Sequence, residues 1–191
     1  MRGVLRSDAA KRPFLTDVQT LRDRARRHIE AGAVTQGYGG DTEAACRILN
    51  EALATELVCV LRYKRHYFMA QGIHSGPVKA EFLEHAGEEQ GHADRIAERI
   101  VQLGGAPNFS PDGLLSRSHS EYAEGDTLLD MIKEDLIAER IAIDSYREMA
   151  AHFAQFDTTT QRMIEEIQAV EEEHADDLAE LLQNFPNDPA E

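Results

Sequence analysis

Cysteine is nearly absent from this sequence: Cys46 and Cys59 are the only two among 191 residues. They lie thirteen positions apart in one helical pattern, about 20 Å along a helix axis, which is too far to form a disulfide. A reduced, cytoplasmic protein with two small core thiols is therefore expected. No apolar run approaches the roughly 18 residues of a membrane span, and no apolar block follows the basic residues near the N-terminus as it would in a secretory signal. Positive charge is also scarce. Lys and Arg number 20 against 35 Asp and Glu, a net charge of −15, which excludes a surface coated evenly for nucleic acid or for a membrane.

At 42% hydrophobic the chain has enough apolar material for one proper core. Its charge is uneven. Residues 1–30 hold eight Lys/Arg and four Asp/Glu, a net of +4 that leaves −19 for the rest. A basic arm on an acidic body leaves contact with DNA open, but packing of "LRDRARRHIEAG" as a surface helix ended by glycine is the favoured reading. The sequence divides into an N-terminal extension with a short helix at 1–40, a helical body at 41–185 and a tail at 186–191.

The body reads as four long helices. After "GYGG" at 37–40, Asp41 with Thr42 offers a cap, and Ile48, Leu49, Ala52, Leu53, Leu57, Val60 and Leu61 recur at helical spacing to about Ala70. A second helix follows "QGIHSGP" and ends at Gly104 and Gly105. The third runs from about Asp126 to His152, and the fourth from about Thr158 to Leu182. Between the second and third lies "GAPNFSPDGLLSRSHSEYAEGD", an aperiodic stretch too long for a simple turn. If the third helix is parallel to the second, the chain must return along about 40 Å of bundle, and twenty extended residues reach about 66 Å. Short, long and short connections describe an all-α four-helix bundle with one crossover, a topology found in ferritin-like folds.

One sentence of sequence is written twice. "EEQGHADRIAERI" at 88–100 and "VEEEHADDLAELL" at 170–182 both contain Glu-x-x-His-Ala-Asp, 82 positions apart (171 − 89). Residues three apart project from one helical face, so Glu89 with His92 and Glu171 with His174 are two bidentate metal claws. Of eight histidines, only these two follow a glutamate by three positions. The first and third helices carry matching single carboxylates, Glu56 and Glu139, at 33 (89 − 56) and 32 (171 − 139) positions before the claws, and Tyr63 and Tyr146 follow each by seven. The chain is thus two pseudo-repeated helix pairs. Four inward glutamates carry a large desolvation cost if ionised and unpaired. Two divalent ions would neutralise them, and the N/O donor set suits iron or manganese.

These stretches, with "LNEALATELVCVLRYKRH" and "IKEDLIAERIAIDSYREM", resemble the ferritin-like superfamily, most closely bacterioferritin, over about residues 41–183. The resemblance implies an intrasubunit di-iron ferroxidase site whose ligands are Glu56, Glu89, His92, Glu139, Glu171 and His174, with Glu89 and Glu171 bridging. It implies Tyr63 and Tyr146 beside the metals and Asp135 orienting the first imidazole, that of His92. The reaction implied is oxidation of Fe2+ by O2 or H2O2, followed by mineral storage in a homo-oligomeric cage. Bacterioferritin places a haem-ligating methionine directly after the second-helix glutamate. Here that position is Gln90, so no haem is expected. A fifth helix after the bundle accompanies cages of twenty-four subunits, and "QNFPNDPAE" has no pattern for one, so a dodecamer is expected. The alternatives are a non-cage di-iron carboxylate oxidase or peroxidase resembling rubrerythrin, although no rubredoxin-like Cys-x-x-Cys pair is present, and a DNA-protecting cage of the Dps type.

Overall fold

The computed structural model describes residues 16–185; the first fifteen residues of the N-terminal extension and the tail at 186–191 lie outside them. Every regular element among the described residues is helical, and there are no strands. A short α1 (Val18–Ala25) and a 3-10 turn (Ile29–Ala31) precede the long helices α2 (Thr42–Met69) and α3 (Ser75–Gln102). A single-turn α4 (Leu114–Arg117) interrupts the crossover, and α5 (Leu128–Phe153) and α6 (Thr158–Asn184) complete the bundle. No helix among the described residues is long and apolar enough to cross a membrane.

Three of the four long helices start where a side chain satisfies their first free N–H groups, whereas α3 follows His74 without a side-chain cap. Asp41 accepts from the N–H groups of Glu43 and Ala44, Thr127 and Asp130 form a reciprocal capping box, and Asp157 accepts from Thr160. The N-terminal segment differs from its expectation. The helix stops at Ala25 rather than continuing to Gly32, and His28 takes a left-handed conformation at φ 52°. None of its residues is buried, so no apolar face offsets the ordering of a helix crowded with Arg24, Arg26 and Arg27.

Helix directions follow from the contacts. Tyr63 reaches Glu139 while Tyr146 reaches Glu56, so α2 and α5 run antiparallel. Arg95 meets Glu166 and Arg99 meets Thr160, so α3 and α6 do too. With short turns inside each pair, α3 and α5 are parallel, and the connection between them spans the bundle. Its backbone is held by polar side chains of α2. Asn50 bonds Ala106 and Asn108, Thr55 accepts from the N–H of His119, Arg62 donates to the Glu121 carbonyl and Arg65 to that of Glu124.

The core is in two parts. One apolar cluster, with Leu49, Leu53, Ile96, Ile100, Phe153, Ile164 and Ile167, fills one end. A second, with Phe82, Val78, Met131, Ile132 and Leu178, fills the other. The six paired-helix Glu and His residues lie in the belt between. At the first end Arg99, 8% exposed, donates to both oxygens of Asp157, which also accepts from Thr160 and from the Tyr38 hydroxyl. Burial works against the charged carboxylate, but these hydrogen bonds outweigh it and lower its pKa below the usual 3.8. Asp157→Ala therefore costs about 3–5 kcal/mol, chiefly by leaving Arg99 buried without its partner. A depressed pKa contributes stability above the unfolded value that is lost as pH falls through the folded one. Urea melts should show the gap between wild type and variant closing only below about pH 4.

Candidate metal centre

The three- and four-residue periodicity that buries the apolar stripes brings four carboxylates and two imidazoles into the belt. Glu56 from α2, Glu89 and His92 from α3, Glu139 from α5, and Glu171 and His174 from α6 are each at most 5% exposed. Their ligand atoms form two sets, each within 4.8 Å: Glu56, Glu89, His92 and Glu171, and then Glu89, Glu139, Glu171 and His174. Glu89 and Glu171 belong to both. Glu89 turns Oε2 toward His92 Nδ1 (3.5 Å) and Oε1 toward His174 Nδ1 (3.6 Å). Glu171 does the same, with Oε1 at 2.9 Å from His92 and Oε2 at 3.4 Å from His174. Each shared carboxylate thus offers one oxygen to either side.

The orphaned atoms describe what this arrangement accommodates. Among the described residues nine buried side-chain N/O atoms make no hydrogen bond, and all but Arg117 Nε belong to these six residues. They divide evenly. Glu56 Oε2, Glu89 Oε2, Glu171 Oε1 and His92 Nδ1 face one point, and Glu139 Oε2, Glu89 Oε1, Glu171 Oε2 and His174 Nδ1 face another. Unsatisfied buried polar atoms cost about 1–3 kcal/mol each, so a cluster of eight calls for cations. Three carboxylate oxygens and one imidazole nitrogen per point form a donor set for a divalent first-row metal.

The remaining oxygens of the unshared carboxylates are occupied. Tyr63 of α2 donates to Glu139 Oε1 of α5, and Tyr146 of α5 donates to Glu56 Oε1 of α2. Both phenols are fully buried, and each leaves its glutamate one free oxygen directed inward. In the absence of metal the charges share protons. Burial, and then the neighbouring Glu89 and Glu171, push the pKa values of Glu56 and Glu139 up. Burial resists a charged His92, but Glu171, Glu56 and Glu89 outweigh it and raise its pKa to about 12. His174 rises to about 11 against the same opposition from burial, through Glu171 and Glu89.

Asp135 is placed differently from its expectation. It approaches no nitrogen of His92; its Oδ1 accepts from Arg62 Nε at 2.7 Å and its Oδ2 pairs with His66 Nδ1 at 2.7 Å. The four-residue step from Asp135 to Glu139 is correct for one helical face, but Arg62 and His66, a turn apart on α2, lie nearer. The imidazole that does have a carboxylate behind it is that of His174, whose Nε2 is 2.7 Å from Glu88 Oε2. That bond leaves Nδ1 for the centre. The doubled glutamate in "EEQGH" was the signal for Glu88, and nothing in the spacing of α2 signalled Arg62 or His66 as Asp135's partners. Gln90 is exposed and donates to Asp94.

The sequence matches the family described as a ferritin-like domain over residues 46–187. The chain belongs to the ferritin-like family. Within that family it is 30% identical over 138 residues to a bacterioferritin of Mycobacterium tuberculosis, covering 72% of this chain and 82% of the relative. It is 31% identical over 137 residues to a nutrient stress-induced DNA-binding protein of Nostoc, covering 70% and 74%. Among solved structures, this ferritin-like chain superposes on a bacterioferritin-related protein of Bacteroides fragilis, a dodecameric thioferritin, with a TM-score of 0.72 and 32% identity over 75% of this chain and 86% of the other.

Proposed function

We propose that this ferritin-like protein stores and detoxifies iron in a homo-oligomeric cage, with Glu56, Glu89, His92, Glu139, Glu171 and His174 as the ferroxidase centre. The observation that carries this reading is the even division of eight orphaned ligand atoms between two points that share Glu89 and Glu171. Ferrous iron is the substrate. Two Fe2+ ions give one electron each to O2 or H2O2, yielding Fe3+ and reduced oxidant. The residues of the chain supply the rest. Glu89 and Glu171 set the separation of the two ions, Tyr63 and Tyr146 hold the outer carboxylates in one orientation, and Glu88 keeps the His174 proton on the nitrogen facing away. Because Glu56, Glu139 and both imidazoles retain protons without metal, loading releases protons, and affinity should rise with pH.

The likeness to a dodecameric relative supports a twelve-subunit assembly here. In it residues 41–185 form the body, 1–40 an extension along the shell and 186–191 a tail. Anaerobic loading with Fe2+ followed by O2 or H2O2 tests the proposal. Ferric absorbance should rise within seconds while light scattering reports a particle of about twelve chains, and the purified protein should show no Soret band. A monomer that oxidises iron would point instead to a non-cage oxidase, and a particle of any size with no oxidation would remove the ferroxidase assignment.

A further inference from the structure

A third group of ligand-type side chains lies one turn beyond His174. Glu81 and His85 sit on the face of α3 that carries Glu89, and Asp177 follows His174 by three positions on α6. The two helices are antiparallel, so stepping back along one and forward along the other brings the three together, with ligand atoms within 4.8 Å. His85 is 1% exposed and its ring stacks on His174 at 3.9 Å between centroids. Its Nδ1 lies 3.2 Å from the Tyr63 hydroxyl. Tyr63 has one proton and gives it to Glu139, so the bond from His85 runs from Nδ1–H to the phenol oxygen. In the neutral ring, Nε2 then carries a lone pair.

That lone pair is directed at negative oxygens. His85 Nε2 is 3.3 Å from Glu81 Oε1 and 3.7 Å from Asp177 Oδ2, and makes no hydrogen bond to either. An imidazole nitrogen facing two carboxylates is repulsive unless a proton or a metal cation lies among them, and the three ligand atoms are close enough together for one ion to meet them all. The buried ring forms one wall, while the Glu81 and Asp177 side chains are 30% and 45% exposed and open to solvent. The geometry points to a third divalent-cation site formed by Glu81, His85 and Asp177, through which ferrous ions reach the paired centre. The site stands on its own donors, and its transit role rests on the ferroxidase reading. One imidazole and two carboxylates form an N/O set for Fe2+, Mn2+, Co2+ or Zn2+, with water completing the shell.

The test uses the assembled, full-length protein without oxygen, titrated with Co2+ and followed by calorimetry and by the cobalt visible bands. Wild type should bind three ions per chain, and E81Q/D177N two. Neither substitution touches Tyr63 or the six central residues, so an unchanged circular dichroism melt confirms that the fold is intact. Equal stoichiometry in the two proteins overturns the site. Glu139→Ala separates the readings: it should reduce occupancy of the paired centre and spare the ion that E81Q/D177N removes. With Fe2+ and O2, E81Q/D177N should raise the apparent KM for iron about tenfold, the effect falling on KM rather than kcat. An ion lost without any change in KM would leave the site standing and overturn the transit role.

Discussion

Ferrous oxidation should fall by at least about 100-fold in Glu89→Ala, whereas Glu124→Ala should stay within about twofold. Glu89 supplies an oxygen to each ligand set, so its removal costs both ions a donor and leaves Glu171 as the one carboxylate shared by His92 and His174. Glu124 is 63% exposed on its side chain and pairs with Arg65 in the crossover, away from the belt. Stopped-flow absorbance of the ferric product reads the rate. A second readout does not need turnover. A divalent ion that binds only the folded chain stabilises it by about 2.7 kcal/mol at one hundred times Kd, so Zn2+ should raise the Tm of wild type more than that of Glu89→Ala, which keeps only the Glu81, His85 and Asp177 donors intact. Equal rates in the Glu89 and Glu124 variants would end the ferroxidase assignment.

Arg62→Ala should destabilise the protein by about 3–5 kcal/mol, or roughly 6–20 °C in Tm. Arg62 is 1% exposed and directs three groups to three partners: Nε to Asp135, Nη1 to the Glu121 carbonyl and Nη2 to Cys59 Sγ. Without it Asp135, fully buried, retains only His66, and the crossover loses one of its anchors. Limited proteolysis should cut faster near residues 118–124. Arg62→Lys should not rescue, since one ammonium cannot span the fork of the guanidinium. A loss below about 1 kcal/mol, the value of an exposed pair, would mean that the buried network contributes little.

The two variants divide the polar interior by purpose. Ligand atoms around Glu89 are left without hydrogen bonds by the protein and are directed at two common points. Charges around Arg62 are satisfied by the protein itself and hold the long connection that makes α5 parallel to α3. Two apolar clusters flank the belt, and they hold the helices in register while the centre carries its uncompensated acids.

By itself the sequence determined the four long helices, the cap of the first at Asp41 and the faces from which Glu89, His92, Glu171 and His174 project, because periodicity and three-residue spacing are local properties of one helix. The length of the aperiodic stretch between α3 and α5 also carried the topology, since only a chain returning along the bundle needs it. The tertiary structure decided what depends on rotation and register between helices. Tyr63 serves Glu139 and Tyr146 serves Glu56, each across the pair interface rather than on its own helix. Asp135 turns to Arg62 and His66 although its spacing to Glu139 matched a role beside His92. His85 meets Glu81 and Asp177 only because α3 and α6 run antiparallel at that offset. The basic segment after Ala25 has helical composition but no buried face, and without tertiary contacts local propensity alone does not carry a helix through His28.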